Sequence, residues 1–425
     1  MYHSCCGGHA INLSLDDAPK AYQDYIDKLI DRIFKAQAAP DADPTLIRTY
    51  GNKLESGIIK GFGKTLADVD FTTPDSKTLV SLQNNVWQFS AAKTYTQMKD
   101  MSAALVDANG KVRSFEEFRR EAQQITGEQL RWLKTEYDTA IGSGQAAAQW
   151  LQIQAEKDTF PFLEYDAVLD DRTSQICIHL DGIIKAVDDP FWDTYYIPNH
   201  FGERSVIRRL REGKVTPDDE IVHPEKMAAI FKNNVGKNGW AFSPDSNYFV
   251  DAPPHVVKNA TLYMPENDQY VIRYKGEAGV ELSVNRKTLI ENKPDLPDIE
   301  KAGKALVDKG RSVDILPEIH AKETDLRKAL LPDVANGKNP DILLDRADYA
   351  DVKKPQTPAN YKTLMRNVAG AAQQADRIIV LLEQEYERAL LKQVAEQRFK
   401  DFPDILEIGF VTADGEYIEF HRPKK

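Results

Sequence analysis

The sequence predicts a multidomain α+β protein: a mostly helical N-terminal part, a small α+β middle segment and a C-terminal α/β sheet domain. Three observations predict it. Apolar residues recur at helical spacing through residues 1–157. Turn-forming Asp and Gly residues punctuate short apolar runs in residues 158–212. From 295 to 425, amphipathic stripes alternate with short apolar runs, the pattern of a sheet covered by helices. A chain of 425 residues has room for two or three domains and ample core. No internal repeat is visible.

In the first part, Tyr22, Tyr25, Ile26, Leu29, Ile30 and Ile33 trace one helical stripe, and Asp41, Asp43 and Pro44 end it. Further helices are expected over Thr78–Met98, Phe115–Ile125 and Gly127–Trp150. No His, Cys or Asp set converges here, so a packing or assembly surface is the expected role. In the middle, Tyr165–Thr173 leads to Cys177, then Leu180-Asp181-Gly182, then Val187–Asp193 and Pro198-Asn199-His200. Asp181-Gly182 reads as a tight turn, and Asp171 is placed to bond backbone N–H groups while pairing with Arg172. Residues 213–294 read as a β-rich connector, with strands at Tyr270–Tyr274 and Gly279–Val284 and no assignable chemistry.

The C-terminal part carries the most informative pattern. Leu296, Ile299, Gly303, Leu306 and Val307 mark a helix, and Arg311–Pro317 a strand ending in Glu318. Asp341–Leu344 and Asp348–Lys354 form a hairpin if Asp345-Arg346-Ala347 is its loop. Side chains alternate along a strand, so Asp341, Asp351 and Lys353 then share one face, and Ile342, Leu344, Ala350 and Val352 the other. A slip of one residue would scramble both sets. Tyr361, Leu364, Met365, Val368 and Ala372 give a helix, and Ile378–Leu382 a central strand. Tyr386, Leu390, Leu391 and Val394 mark a further helix. Ile405–Val411 and Glu416–Phe420 flank a turn at Asp414-Gly415. Two carboxylates beside a lysine suit metal-assisted phosphodiester cleavage; the bland alternative is a hairpin with surface charges.

Two resemblances follow from these residues. The middle string resembles the phage Mu F-type head morphogenesis family over roughly residues 100–212. The family's signature is an Asp-x-Arg-Thr turn, a Cys, a Leu-Asp-Gly turn and a terminal Pro-Asn-His-x-x-Cys-Arg. Here Glu203 replaces the final cysteine while Arg204 remains, which weakens any shared Cys-based metal site or disulfide. Residues 295–425 resemble the PD-(D/E)xK nucleases, with a restriction-endonuclease-like α/β sheet. Leu316-Pro317-Glu318, Asn339-Pro340-Asp341, Asp351-x-Lys353 and Gln374-Ala375-Asp376 are the matching residues. Within that superfamily they look most like toxin domains of contact-dependent inhibition systems, several of which are tRNases. This resemblance implies Glu318, Asp341 and Asp351 as ligands of Mg2+ or Mn2+. It implies Lys353 as the cation beside the attacked phosphate, with Lys354 and Gln374 on the substrate. Glu300 is an alternative to Glu318. His320 either assists or is simply solvated, and Gln374 either contacts substrate or caps a helix.

The implied function is a phage minor head protein carrying a metal-dependent nuclease, acting on RNA or tRNA in preference to DNA. The alternative is a purely structural, portal-proximal capsid protein with an inactive nuclease-like domain. Implied partners are phage portal or capsid proteins, a nucleic acid and an immunity protein. With 66 acidic against 55 basic residues, the surface as a whole does not attract phosphate. Basic residues do gather in sequence around the site: Lys353, Lys354, Lys362, Arg366 and Arg377. No run suits a membrane span and no signal-peptide pattern is seen, and the resemblance implies the virion head or the bacterial host cytoplasm. Cys5, Cys6 and Cys177 make no disulfide framework. Cys5, Cys6, His3 and His9 match no usual metal spacing.

Overall fold

The computed structural model describes residues 18–335, 337–355 and 360–423; the His3, Cys5, Cys6 and His9 set lies outside them. The chain divides into two compact units, 1–264 and 265–425.

The first unit is built on four long helices, α1 (Lys20–Ala36), α2 (Pro44–Phe62), α3 (Pro74–Ala103) and α4 (Phe115–Glu156). Asp43 starts α2 by accepting the N–H groups of Thr45 and Leu46, and Pro44 sits at its first position, where no N–H is needed. On α1 the expected stripe is the buried one: Ile26, Leu29, Ile30 and Ile33 are covered, each worth about 1.5–3 kcal/mol. Gly127 does not break α4, although two helices were expected there. A Ser114–Glu117 capping box starts a single helix of 42 residues, whose packing outweighs the ~1 kcal/mol that a mid-helix glycine costs. Glycine also sets the approach of α2 to α4. A Cβ on Gly61 would lie 2.0 Å from the Ile141 carbonyl oxygen, and one on Gly144 2.6 Å from that of Ile58.

Beyond α4, strands β1 (Phe162–Asp166), β2 (Ile184–Ala186) and β3 (Val206–Leu210) form an antiparallel sheet in the order β2-β1-β3. A six-residue helix, α5 (Gln175–Leu180), lies between β1 and β2. Residues 213–264 do not form a β-rich connector. They run as short helical turns whose Ile221, Ile230, Phe231 and Phe242 join the core of the first unit. Asn85 of α3 holds this segment by bonding both the N–H and the C=O of Phe242.

The second unit is an eight-stranded mixed sheet in the order β11-β10-β9-β8-β7-β6-β5-β4. Its strands are β4 (Tyr270–Lys275), β5 (Glu281–Asn285), β6 (Val313–Ile315), β7 (Ile342–Leu344), β8 (Asp348–Lys353), β9 (Arg377–Leu381), β10 (Glu407–Val411) and β11 (Tyr417–His421). Helix α6 (Leu296–Asp308) packs on one face, and α8 (Tyr361–Ala371) and α9 (Arg388–Asp401) on the other. A short helix, α7 (Thr324–Leu330), lies in the β6–β7 connection. β9 lies between two parallel neighbours, β8 and β10. Its Ile379 and Leu381 pack toward α6 and its Ile378 and Val380 toward α8 and α9, which is why its sequence is continuously apolar.

The expected boundary at 295 is therefore too late. The two strands assigned to the connector are β4 and β5, and β5 pairs in parallel with β6. Leu282 and Val284 are fully buried in the core beneath α6. A fragment of residues 265–425 is expected to melt cooperatively. One of 295–425, lacking both strands and exposing the β6 edge, is expected to lose several kcal/mol and to aggregate. Equal melting of the two fragments would contradict this packing.

Candidate functional site

The β7–β8 hairpin forms in the predicted register. Ile342 pairs with Ala350, Leu343 with Tyr349 and Leu344 with Asp348, leaving Asp345-Arg346-Ala347 as the loop. Asp345 and Arg346 adopt left-handed φ values of 51° and 57°. Ser312 N–H and the Arg311 guanidinium bond the Asp345 carboxylate and hold this end. Ile342, Leu344, Ala350 and Val352 enter the core toward α6, as their alternation requires. Asp351 and Lys353 pair with Ile378 and Val380, which face α8 and α9.

At the other end of the hairpin, the Asp341 N–H donates to the Ala350 carbonyl at 3.1 Å, and Asp341 Oδ2 accepts the Val352 N–H at 2.8 Å. Asp341 and Asp351 are close enough for each carboxyl group to act on the protonation of the other. Lys353 Nζ lies 2.5 Å from Asp351 Oδ2, whose side chain is only 2 % exposed. Burial, then the neighbouring Asp341 charge, pushes Asp351 up to about 7. Burial raises Asp341 as well, against the Val352 N–H bond that favours its charge. Burial would lower Lys353, but Asp351 overrides that and holds the ammonium charged. Two adjacent carboxyl groups thus keep a proton that ordinary carboxylates lose.

The structure joins Asp341, Asp351 and Lys353 and places the other expected residues elsewhere. Glu318 turns to Lys293, with Oε2 2.9 Å from Nζ, and its side chain is 59 % exposed. Glu300 accepts from Arg273 of β4 at 2.9 Å. His320 is exposed, and its Nδ1 accepts the nearby Lys322 N–H. Lys354 lies between Asp298 and Glu383, at 3.1 and 3.0 Å, so its charge is already countered. Arg377, at the opposite end of β9, is tied to Asp348 and Asp376. Lys362 and Arg366 are exposed on α8. Sequence reasoning missed Asp295, whose charge acts on both Asp341 and Lys353 from the start of α6. Nothing in its local sequence sets it apart from the other acids of that segment.

Gln374 is a positioning group in this geometry. Its Oε1 accepts the Asn339 N–H at 3.1 Å, two residues before Asp341. Asn339 Oδ1 in turn accepts from Ile319 N–H and from the buried Arg327, which also bonds the Ile319, Ala335 and Lys338 carbonyls. These bonds fix the loop that delivers Asp341. Gln374→Glu keeps an acceptor for the Asn339 N–H and is expected to leave the melting point of the second unit nearly unchanged, whereas Gln374→Met should cost about 1 kcal/mol, which thermal melting of both variants checks.

A divalent cation fits the aspartate pair. Both donors are hard oxygens, and the buried Asp351 Oδ2 has no well-aligned hydrogen bond despite its contact with Lys353. Mg2+ is commonly held by one or two carboxylates, with water and substrate completing its shell. Among the described residues, no three His, Cys, Asp or Glu side chains converge on a metal position.

The middle motif string is also brought together. Asp170, not Asp171, bonds the Arg172 N–H, and it receives both terminal nitrogens of Arg204 at 2.8 and 2.6 Å. Asp181 accepts the Ala167 N–H, and Gly182 adopts φ 73° in the expected turn. Glu203 accepts from the Tyr165 hydroxyl and from the Asn199 N–H.

Residues 82–208 match the family model described as Phage Mu protein F like protein. The putative capsid assembly protein F of Escherichia phage Mu is 30% identical over 94 residues, 22% of this chain and 21% of that protein. The Mu-like prophage FluMu F protein of Haemophilus influenzae is 37% identical over 111 residues, 24% of this chain and 27% of the relative. The match thus spans about a quarter or less of the curated relatives' length. Among solved structures, a CdiA-CT/CdiI toxin and immunity complex from Burkholderia pseudomallei aligns at TM-score 0.22 and 18% identity, covering 29% of this chain and 83% of that one. A likeness at that level carries no weight for fold or function. The sequence match and the motif geometry agree on the first unit: the chain contains a Phage Mu protein F-like domain over residues 82–208.

Proposed function

We propose that the chain is a phage head protein whose first unit serves in capsid assembly and whose second unit is a metal-dependent phosphodiesterase, with RNA or tRNA as the favoured substrate. The assembly role is supported by the relatives' description and by the motif string's structural bonding. The nuclease reading is carried by one observation: the half-buried Asp341, bonded to the Val352 N–H, neighbours the buried Asp351, with Lys353 2.5 Å from Asp351. A pair of acids costs energy where it is buried, and such placements mark functional sites more often than structural ones.

Asp341 and Asp351 would hold the cation, which supplies charge neutralisation at the phosphoryl group. Lys353 is 36 % exposed, so its ammonium reaches both Asp351 and solvent. It is placed to stabilise negative charge developing on a non-bridging phosphate oxygen and to orient an attacking water. Asp295, at the start of α6, keeps Lys353 protonated together with the two aspartates. The Arg327–Asn339–Gln374 bonds hold the Asp341 loop against the strain of burying two like charges.

The purely structural alternative is favoured by one observation, the withdrawal of Glu318 onto Lys293, which leaves two carboxylates rather than three. Incubating the full chain with tRNA, total RNA and duplex DNA, with and without Mg2+, separates the readings. Mg2+-dependent cleavage of RNA supports the proposal, and intact substrates under all conditions support the alternative. For the first unit, a chain truncated after Met264 is expected to enter procapsids; its exclusion would overturn the assembly role.

A further inference from the structure

Six polar side chains of the Phage Mu F-like domain gather beside β1: Tyr165, Ser174, Cys177, Asn199, His200 and Glu203. Cys177 Sγ lies 3.0 Å from His200 Nε2. His200 Nδ1 is 2.9 Å from the Phe201 carbonyl oxygen. A carbonyl only accepts, so Nδ1 carries a hydrogen and Nε2 is the atom that exchanges a proton with the thiol. The Ser174 hydroxyl lies 3.3 Å from the sulfur, and the Tyr165 hydroxyl, donated to Glu203, lies 3.7 Å away. Asn199 Oδ1 is buried with no hydrogen-bond partner among the described residues, a cost that simple packing does not require.

A base within bonding distance of a thiol, itself oriented by a third group, is the arrangement that activates a nucleophile. Burial pushes the Cys177 thiol up, but the bonds from His200, Ser174 and Ser205 together bring it below its ordinary value. Burial would lower His200, yet the bond to Cys177 and the Glu203 charge hold it at about 9. Cys177 and His200 keep 4 % and 9 % of their surface exposed, so only small molecules reach them.

We propose that Cys177 is a nucleophilic thiol activated by His200 and a site of oxidation by small hydroperoxides. The sulfur attacks one peroxide oxygen and the O–O bond breaks. Cys177 is oxidised to a sulfenic acid, keeping the hydrogen of the attacked oxygen. The proton on His200 Nε2 passes to the departing hydroxide, so hydrogen peroxide is reduced to one water.

The test uses the full chain carrying Cys5→Ser and Cys6→Ser, so that Cys177 is the sole thiol. Its alkylation by iodoacetamide is followed by mass spectrometry from pH 6 to 8, with glutathione as reference. An ordinary thiol with pKa about 8.5 speeds up roughly 75-fold over this range, whereas Cys177 is expected to react faster than glutathione at pH 6 and to rise less steeply with pH. Hydrogen peroxide followed by dimedone should add one label at Cys177. His200→Gln should restore the steep pH dependence, and should that variant not fold, the parent profile decides alone. A Cys177 that is inert in the folded chain but alkylated in urea would overturn the proposal, as would a profile as steep as that of glutathione.

Discussion

Asp351→Ala is expected to lower Mg2+-dependent cleavage by about three orders of magnitude while leaving the sheet intact. Asp351 is buried on the face away from the α6 cluster, so its removal leaves the packing of Ala350 and Val352 against α6 in place. Its removal deletes one of the two proposed cation ligands and the carboxylate 2.5 Å from Lys353. Asp341→Ala should have a similar effect, with an added loss from the Val352 N–H left without its acceptor. Lys353→Ala acts on a different step. It leaves both carboxylates in place, so the cation still binds while turnover falls by about 10²–10³ through loss of charge at the phosphate. Glu318→Ala should alter cleavage little, because that carboxylate is engaged by Lys293. Initial rates at saturating Mg2+, with circular dichroism as the control for folding, check all four. Full activity of Asp351→Ala would sink the mechanism.

In the metal-free chain, Asp351→Asn is expected to stabilise the second unit at pH 8. Asp351 titrates near 7 in the folded state against about 3.9 unfolded, so the folded state holds the proton more tightly. That contribution is complete below about pH 4 and is lost as pH rises through about 7. By pH 8 the folded chain carries the buried Asp351 charge beside that of the half-buried Asp341, a penalty on the order of a few kcal/mol. An asparagine carries no charge there, so its melting temperature at pH 8 should rise by roughly 5–10 °C, taking 2–4 °C per kcal/mol. The fall in stability between pH 4 and 7 should shrink with it. Mg2+ should raise the melting point of the parent chain but not of the variant. A lower melting point for Asp351→Asn at pH 8 would contradict this electrostatic reading.

Much of the second unit was legible in the sequence, for reasons visible in single residues. Alternation in Ile342, Leu344, Ala350 and Val352 fixes the hairpin register, because a one-residue slip would put Asp351 into the α6 core. The unbroken apolar run at Ile378–Leu382 marks a strand covered on both sides. Contacts between distant segments were not legible. Glu318 follows β6 as expected, yet its orientation depends on Lys293, 25 residues earlier. Asp295 resembles any other acid near a helix start until the fold brings its charge to Lys353. The span of 213–294 misled because it serves two bodies: Phe242 is bound by Asn85 in the first, while Leu282 and Val284 fill the core of the second. In α4, Gly127 looked like a break because local propensity says nothing of the tertiary packing that carries a long helix through it.

Binding of Mn2+ to the full chain, followed by the loss of the free-ion EPR signal, tests the aspartate pair most directly. The parent chain is expected to bind one ion at pH 7.5, Lys353→Ala to bind it as well, and Asp351→Asn to leave the free signal unchanged. Saturable binding by Asp351→Asn equal to that of the parent, or no binding by the parent, would contradict a metal site at Asp341 and Asp351.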